Sequence, residues 1–181
     1  MERKVYSMEI AGLKRDLPLC KVDDHLDIAA FVMFSDVEIT IACAKELLKI
    51  VPEFDYLLTA ESKGIPLAYE MSRQCGKNYF PARKMTKLYM ADPISVSVKS
   101  ITTAKEQTLY LDKNDADKLQ GKRVLLVDDV ISNGGSMQAM EALANKAGAI
   151  IVGKAAVLAE GLAADRKDII YLEKLPTFPK D

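Results

Sequence analysis

Residues 124–136 read Val-Leu-Leu-Val-Asp-Asp-Val-Ile-Ser-Asn-Gly-Gly-Ser, and this stretch is the most informative part of the sequence for predicting the fold. The apolar run 124–127 has the length and β-branched content of a buried parallel strand. It ends in two adjacent carboxylates, Asp128 and Asp129, which are followed by a loop of small residues. The next residues, 137–146, have the pattern of a helix. The stretch therefore predicts a strand, an acidic pair, a small loop and a helix in direct succession.

The loop after the acidic pair has the composition of an anion-binding loop. Its backbone N–H groups and the N-terminus of the predicted helix attract a phosphate, and its two glycines let the backbone approach that phosphate closely. Ionised carboxylates only accept hydrogen bonds, so the acidic pair suits a ribose diol or a hydrated Mg²⁺. This layout predicts a site for a phosphorylated sugar. The loop consists of Ser132, Asn133, Gly134, Gly135 and Ser136.

Two other interpretations of the stretch involve no sugar. One is a buried strand followed by an ordinary glycine turn, in which the aspartates start a helix. The other is a receiver domain of a response regulator, which also carries an acidic pair. In receiver domains, however, the pair follows the first strand, whereas several predicted strands precede it here. The small-residue loop favours the phosphate site.

The stretch resembles the motif with which type I phosphoribosyltransferases bind PRPP, 5-phosphoribosyl 1-pyrophosphate. The family pattern is an apolar run, an acidic pair, an apolar pair and a small loop that usually reads Thr-Gly-Gly-Thr. Asn133 replaces the usual Thr, and its amide can substitute for the hydroxyl donor. The resemblance implies that Asp128, Asp129 and the 132–136 loop bind PRPP, and that both aspartates are catalytic.

Composition and charge exclude several classes of protein. A formal net charge of −1 argues against a nucleic-acid or anionic-membrane partner, and no apolar run approaches membrane-spanning length. No secretory signal is recognisable, and Cys20, Cys43 and Cys75 are spaced without a metal-binding pattern. These features predict a cytoplasmic protein. The single histidine, His25, argues against Ser-His catalysis and against His-rich metal sites.

Strands that alternate with helices predict an α/β fold with a mainly parallel central sheet flanked by helices. The predicted helices cover residues 37–50, capped by Asp36, and 64–73, with a helical turn at 115–119. Strands are predicted at 5–10, 28–34, 55–60, 78–83, 149–158 and 168–172, and an antiparallel hairpin at 94–101 and 107–112. The length fits one domain, 1–181. The resemblance implies a small hood formed by 1–35 over a core at 36–181.

A second loop, Glu61-Ser62-Lys63-Gly64, also follows a predicted strand. Ligands of parallel sheets bind at the carboxyl ends of the strands, so loops 61–64 and 128–136 are expected at one edge. The loop resembles the pyrophosphate-binding loop of purine phosphoribosyltransferases, in the Glu-x-basic-Gly form of adenine-specific members. The resemblance implies that Glu61, Ser62, Lys63 and Gly64 bind pyrophosphate. The alternative is a plain capped helix start.

Three cations lie close together in residues 83–87, namely Arg83, Lys84 and Lys87. They form either a solvated basic surface or a mobile loop that closes over pyrophosphate. The family has a flexible loop between the third core strand and the hairpin. That resemblance implies that the three cations bind pyrophosphate and that Lys87 is catalytic.

The nucleobase contacts are predicted at Leu26, Asp27 and Ile131. Residues 19–27 resemble the hood segment of xanthine phosphoribosyltransferase, but that enzyme carries Asn where Asp27 stands and Lys where Gly161 follows Glu160. Neither Asp27 nor Gly161 has a side-chain donor for an oxopurine, whereas Asp27 could accept from an exocyclic amine. Asp27 is alternatively a helix cap or a surface carboxylate.

The resemblance implies purine salvage by the reaction of adenine with PRPP to give AMP and pyrophosphate. Mg²⁺ is the implied cofactor, held mainly by PRPP and water, with Asp128 or Asp129 reaching it only through water. A homodimer is expected. Two alternatives remain open, a xanthine or guanine phosphoribosyltransferase and a PRPP-sensing regulatory protein without turnover.

Overall fold

Eleven strands and four helices follow one another along the described residues, 4–99 and 106–180 of a computed structural model. The strands are β1 (Val5–Ile10), β2 (Leu13–Lys21), β3 (Leu26–Ala29), β4 (Tyr56–Ala60), β5 (Tyr79–Ala82), β6 (Ile94–Lys99), β7 (Glu106–Leu111), β8 (Arg123–Ile131), β9 (Ile150–Glu160), β10 (Ile170–Leu175) and β11 (Thr177–Pro179). The helices are α1 (Val37–Ile50), α2 (Ile65–Cys75), α3 (Lys113–Leu119) and α4 (Gly135–Lys146), and a 3-10 turn covers Gly161–Asp165.

A five-stranded sheet in the order β10-β9-β8-β4-β5, parallel throughout, forms the centre of the fold. Along β8 the side chains alternate between two cores. Val124 and Leu126 pack in the core that contains α4, and Leu125 and Val127 pack in the core that contains α1 and α2. Because helices cover both faces, the strand has no polar side, which explains its continuous apolar run.

Strand β8 is longer than the sequence indicates. The apolar run predicts a strand that ends at Val127, but the strand continues through both aspartates to Ile131. Neighbouring β9 pairs with it as far as Ile131, whereas the recorded pairing with β4 stops at Val127. One side of the extended segment is thus held by β9 while the β4 side opens to a cavity. The acidic pair therefore stands on a rigid strand.

The predicted helices are confirmed with small shifts. The Asp36 carboxylate accepts a hydrogen bond from the Ile39 N–H at 3.1 Å, which caps α1 as expected. Helix α2 ends at Gly76, whose φ of 73° is a left-handed conformation that glycine adopts without steric cost. Helix α4 starts at Gly135, two residues earlier than predicted, because the glycine loop leads directly into it.

A second, four-stranded antiparallel sheet has the order β1-β2-β3-β11. Strand β2 was not predicted, since its turn is Ala11-Gly12, with φ of 50° and 79°, and not one of the usual Asn-Gly or Asp-Gly pairs. Strand β3 ends at Ala29, earlier than the predicted 28–34 strand. The sheet formed by β1, β2 and β3 is thus completed by β11 from the other end of the chain.

The hairpin β6-β7 is antiparallel, as predicted, and residues 102–105 of its predicted turn lie outside the described residues. Strand β10 covers Ile170–Leu175, shifted from the predicted 168–172 because it pairs with the end of β9, up to Leu175 opposite Glu160. None of the helices in the described ranges is long and apolar enough to cross a membrane.

Candidate active site

A cavity of about 300 Å³ lies at the carboxyl ends of β4, β8 and β9. Such an edge is where parallel sheets bind ligands, and the volume suits a small molecule. As expected, loops 61–64 and 128–136 meet there. The lining residues fall into four groups: the loop after β4 (Ala60, Glu61, Ser62, Lys63), the acidic pair with its following residues (Asp128, Asp129, Val130, Ser132, Ser136), Lys84, and a wall of Ile28, Ala29, Ala30, Phe31, Val32, Glu160 and Leu175.

The acidic pair is almost fully buried, with Asp128 9% and Asp129 3% exposed. The Asp129 N–H donates to Asp128 Oδ1 at 2.9 Å. Burial, together with the negative charge of Asp129, raises the pKa of Asp128. Lys63 Nζ lies 3.6 Å from Asp129 Oδ2, an atom with no hydrogen bond to the described residues. A buried, poorly compensated negative charge of this kind is ready to receive hydroxyl donors or a hydrated cation.

Loop 61–64 packs directly against the acidic pair. A Cβ placed on Gly64 would lie 2.3 Å from Thr59 Oγ1 and 3.1 Å from Asp128 Oδ1, so only glycine fits there. The Glu61 carboxylate accepts from the Lys84 N–H at 3.0 Å and pairs with Arg83 Nη2 at 3.2 Å. The Glu61–Ser62 peptide is cis. Glu61 thus ties this loop to the basic segment, and does not itself present a free carboxylate to the cavity.

The 132–136 loop encloses a small pocket of about 30 Å³. Gly134, with a φ of 80°, turns the chain into α4, and Asn133 Oδ1 accepts from the Gly135 N–H at 3.1 Å. Ser136 Oγ accepts from Gln107 Nε2 of the hairpin at 3.4 Å. Outside the loop, the Arg166 guanidinium packs so close to Gly134 that a Cβ there would lie 2.9 Å from Nη1. Contacts with Gln107 and Arg166 thus hold the loop from outside, and the α4 N-terminus lies behind it.

The structure separates the three basic residues. Lys84 lines the cavity, whereas Arg83 is tied to Glu61 and to the backbone of Tyr110. Lys87 is half-buried and is not among the lining residues of the described ranges. Leu88, the next residue in the sequence, is fully exposed to solvent.

The three predicted base contacts lie away from the main cavity. Asp27 Oδ1 pairs with Lys180 Nζ at 2.5 Å, because β11 lies beside β3 and brings residue 180 to it. Leu26 lies opposite Pro179 in the same pairing. Ile131 is 2% exposed and borders the small pocket of the 132–136 loop. The lining of the main cavity begins at Ile28, next to Asp27, and the base-binding role of Leu26, Asp27 and Ile131 stays a prediction.

Residues that the sequence pattern did not single out complete the wall. Phe31 and Leu175 are buried apolar side chains, and Glu160 ends β9. The rule that ligands bind at carboxyl ends of parallel strands identifies Glu160, since it closes a predicted strand beside β8. No pattern points to Leu175, which reaches the cavity only through the pairing of β10 with β9.

Comparisons with known proteins agree with this geometry. Residues 38–177 match the family described as phosphoribosyl transferase domain. The chain is 30% identical to an adenine phosphoribosyltransferase of Kosmotoga olearia over 73% of this chain and 74% of that protein. A similar protein of Brachyspira hyodysenteriae, also named adenine phosphoribosyltransferase, is 31% identical over 68% of each chain.

A solved structure supports the fold independently. The adenine phosphoribosyltransferase of Thermoanaerobacter pseudethanolicus superposes with a TM-score of 0.67 at 20% identity, covering 94% of this chain and 95% of that one. This likeness confirms the α/β fold of the type I phosphoribosyltransferases.

Proposed function

The chain belongs to the phosphoribosyltransferase family, and we propose that it is the enzyme of purine salvage that converts adenine and PRPP to AMP and pyrophosphate. The observation that carries the proposal is the buried acidic pair, which lies between a preformed phosphate loop and the 61–64 loop at one sheet edge. Relatives named adenine phosphoribosyltransferase support adenine as the base.

We propose one orientation for PRPP in the site. Its 5′-phosphate would occupy the pocket of residues 132–136, where backbone N–H groups and the α4 N-terminus supply positive potential. The ribose hydroxyls would then donate to Asp128 and Asp129. The pyrophosphate would lie along 61–64, with charge from Lys63 and Lys84. Arg83 and Lys87 would join it only if the 83–90 loop closes.

Catalysis in this arrangement is mainly positioning and charge stabilisation. The bond between ribose C1 and the pyrophosphate oxygen breaks, leaving positive charge on the sugar and negative charge on the leaving group. All four charged residues line the same cavity. In the proposed orientation the acidic pair would face the sugar, and Lys63 and Lys84 would face the pyrophosphate. Adenine N9 would form the new bond to C1, and the proton that the imidazole ring of adenine loses would pass to the departing pyrophosphate or to solvent. The site thus stabilises both charges that develop.

The donor set also fits the proposed Mg²⁺. Asp129 Oδ2 is buried without a hydrogen bond to the described residues, and it could accept from a metal-bound water. Among those residues no cluster of three ligating side chains is present. We propose that the ion would be held largely by PRPP oxygens and water. When bound, the ion would neutralise charge on the leaving pyrophosphate.

The four-stranded sheet is proposed as the hood over the base. It ends at the cavity, where Ile28 and residues 29–32 form one wall. This assigns the hood to 1–35 together with β11, within a single domain of 1–181. We also propose a cytoplasmic location, which the three widely spaced cysteines support.

A product assay tests the proposed reaction. The purified protein is incubated with PRPP, Mg²⁺ and, separately, adenine, guanine, hypoxanthine, xanthine or orotate, and nucleotides are separated by chromatography. AMP as the main product is expected. GMP or XMP as the main product would support phosphoribosyl transfer but would show that the base is guanine or xanthine and not adenine. PRPP binding without any nucleotide would favour the sensor and refute the enzyme.

A homodimer is proposed from an exposed apolar patch. Val37 and Ile41, one turn apart on α1, are 69% and 42% exposed, and Phe34 just before the helix is 48% exposed. An apolar patch of this kind usually marks an interface, and a second copy of the chain would bury it isologously.

The dimer is tested by light scattering coupled to size exclusion. Wild type should have twice the chain mass, and Ile41→Lys should shift it towards the monomer. The matched control is Lys122→Ala, an exposed residue just before β8 and outside α1, which should remain dimeric. A monomeric wild type at micromolar concentration would refute the proposal.

A further inference from the structure

Glu160 is a cavity carboxylate that no proposed role has used. It ends β9 and lines the cavity beside the apolar residues of the hood. Burial raises the pKa of Glu160, and Lys63 is the cation that partly offsets this. Within residues 4–99 and 106–180, no hydrogen bond or ion pair engages its carboxylate. A half-buried carboxylate without partners among the described residues is available to accept a hydrogen bond from a ligand in the cavity.

The other charged side chains of the cavity are already assigned. Five of the six charged lining residues in the described part of the chain belong to the ribose and pyrophosphate subsites, namely Glu61, Lys63, Lys84, Asp128 and Asp129. What is left is the wall formed by 28–32, Leu175 and Glu160. With the phosphates and the ribose at the loops, the planar base lies against this wall. Glu160 is then the charged group that faces the edge of the base.

We propose that Glu160 is the residue that selects an aminopurine, by accepting a hydrogen bond from the exocyclic amine of adenine and repelling the carbonyl oxygen of a 6-oxopurine. An ionised carboxylate has acceptors only, so it pairs with an N–H and cannot pair with a carbonyl. Buried polar groups that lose their partner discriminate strongly between such analogues. The inference rests on the proposed function, since it places the base of the transfer reaction.

The test is the ratio of kcat/KM for adenine to kcat/KM for hypoxanthine. Glu160→Gln keeps the shape of the side chain, but its amide can donate to the 6-oxo group. We expect the ratio to fall at least tenfold, with a gain for hypoxanthine. The matched control is Glu173→Gln on the exposed face of β10, which should leave the ratio unchanged. An unchanged ratio in a folded Glu160→Gln variant that binds PRPP overturns the inference.

A second measurement uses the wild-type protein, so that the test does not depend on how well the Glu160→Gln variant folds. Purine, which has no 6-substituent, and hypoxanthine are compared as competitors of adenine in the presence of PRPP. Repulsion of the carbonyl predicts that hypoxanthine binds at least tenfold more weakly than purine, and equal or tighter binding of hypoxanthine overturns the inference.

Failure of the proposed function has a different signature. If no base yields a nucleotide, the enzyme assignment is refuted, and calorimetric binding of adenine and hypoxanthine to the PRPP-loaded protein then tests Glu160 directly. A preference for adenine that is lost in Glu160→Gln would support the inference even then. IMP or XMP as the main product would overturn the inference while retaining the transferase.

Discussion

Asp129→Asn is expected to keep the fold and to lower turnover by two or more orders of magnitude, a loss of about 3 kcal/mol in transition-state stabilisation. The carboxylate is 3% exposed, and Lys63 at 3.6 Å is its ion-pair partner. The amide has nearly the same volume, so packing is retained. It lacks the negative charge that faces the ribose as positive charge develops on the sugar.

The measurement is kcat for AMP formation at saturating PRPP and adenine, together with thermal melting. Removing one of two adjacent buried charges should leave the melting temperature unchanged or raise it, because the pKa of Asp128 is raised by burial and by the charge of its neighbour. Asp117→Asn is the matched control, since Asp117 is an exposed partner of Lys113 on α3. Near-wild-type turnover in Asp129→Asn would remove the acidic pair from the mechanism.

Gly64→Ala is expected to damage stability and activity together. Its Cβ would lie 2.3 Å from Thr59 Oγ1 on β4 and 3.4 Å from the Cα of Asp128 on β8. The 61–64 loop or one of these strands must therefore move. Overpacking of this kind costs about 1–3 kcal/mol in the free energy of unfolding. Because the displaced atoms belong to β4 and to the acidic pair, kcat/KM should fall more than tenfold.

A double mutant isolates the cause. Thr59→Ala removes Oγ1, a buried atom without a hydrogen bond to the described residues, and so relieves the clash. Urea unfolding should show that Gly64→Ala lowers the free energy of unfolding less in the Thr59→Ala background than in wild type. The difference between the two losses, which is the coupling energy, should be about 1 kcal/mol. Strict additivity of the two substitutions would show that contact with Thr59 is not the source of the effect.

Local patterns predicted the parts of the site that lie within one stretch of chain. The apolar run, the aspartates and the loop from Ser132 to Ser136 are contiguous, so their order alone implies a strand, a turn and a helix N-terminus. The Asp36 cap of α1 was predictable for the same reason, because its hydrogen-bond partner, Ile39, is only three residues away. The shared edge of loops 61–64 and 128–136 followed from a general property of parallel sheets.

Pairing between segments that are distant in sequence could not be predicted from local patterns. Asp27 was expected at the base, but β11 pairs with β3 and places Lys180 against it. No local pattern indicates that the last residues of a chain will join its first strands. Arg83, Lys84 and Lys87 were all expected at the pyrophosphate, and of these three Lys84 is the one that lines the cavity of the described residues. Its backbone N–H is held there by the Glu61 carboxylate.

The family, the acidic pair and the 132–136 loop could be recognised from the amino-acid sequence, since each depends on residues within a few positions of one another. The side chains of the cavity wall, against which we propose that the base binds, could be identified only in the folded protein. Glu160 and Leu175 reach the cavity from β9 and β10, and Arg166 supports Gly134 from the segment between them. The physical reason is that strand register and helix packing are set by the whole core, so contacts between distant residues appear only once that core is assembled.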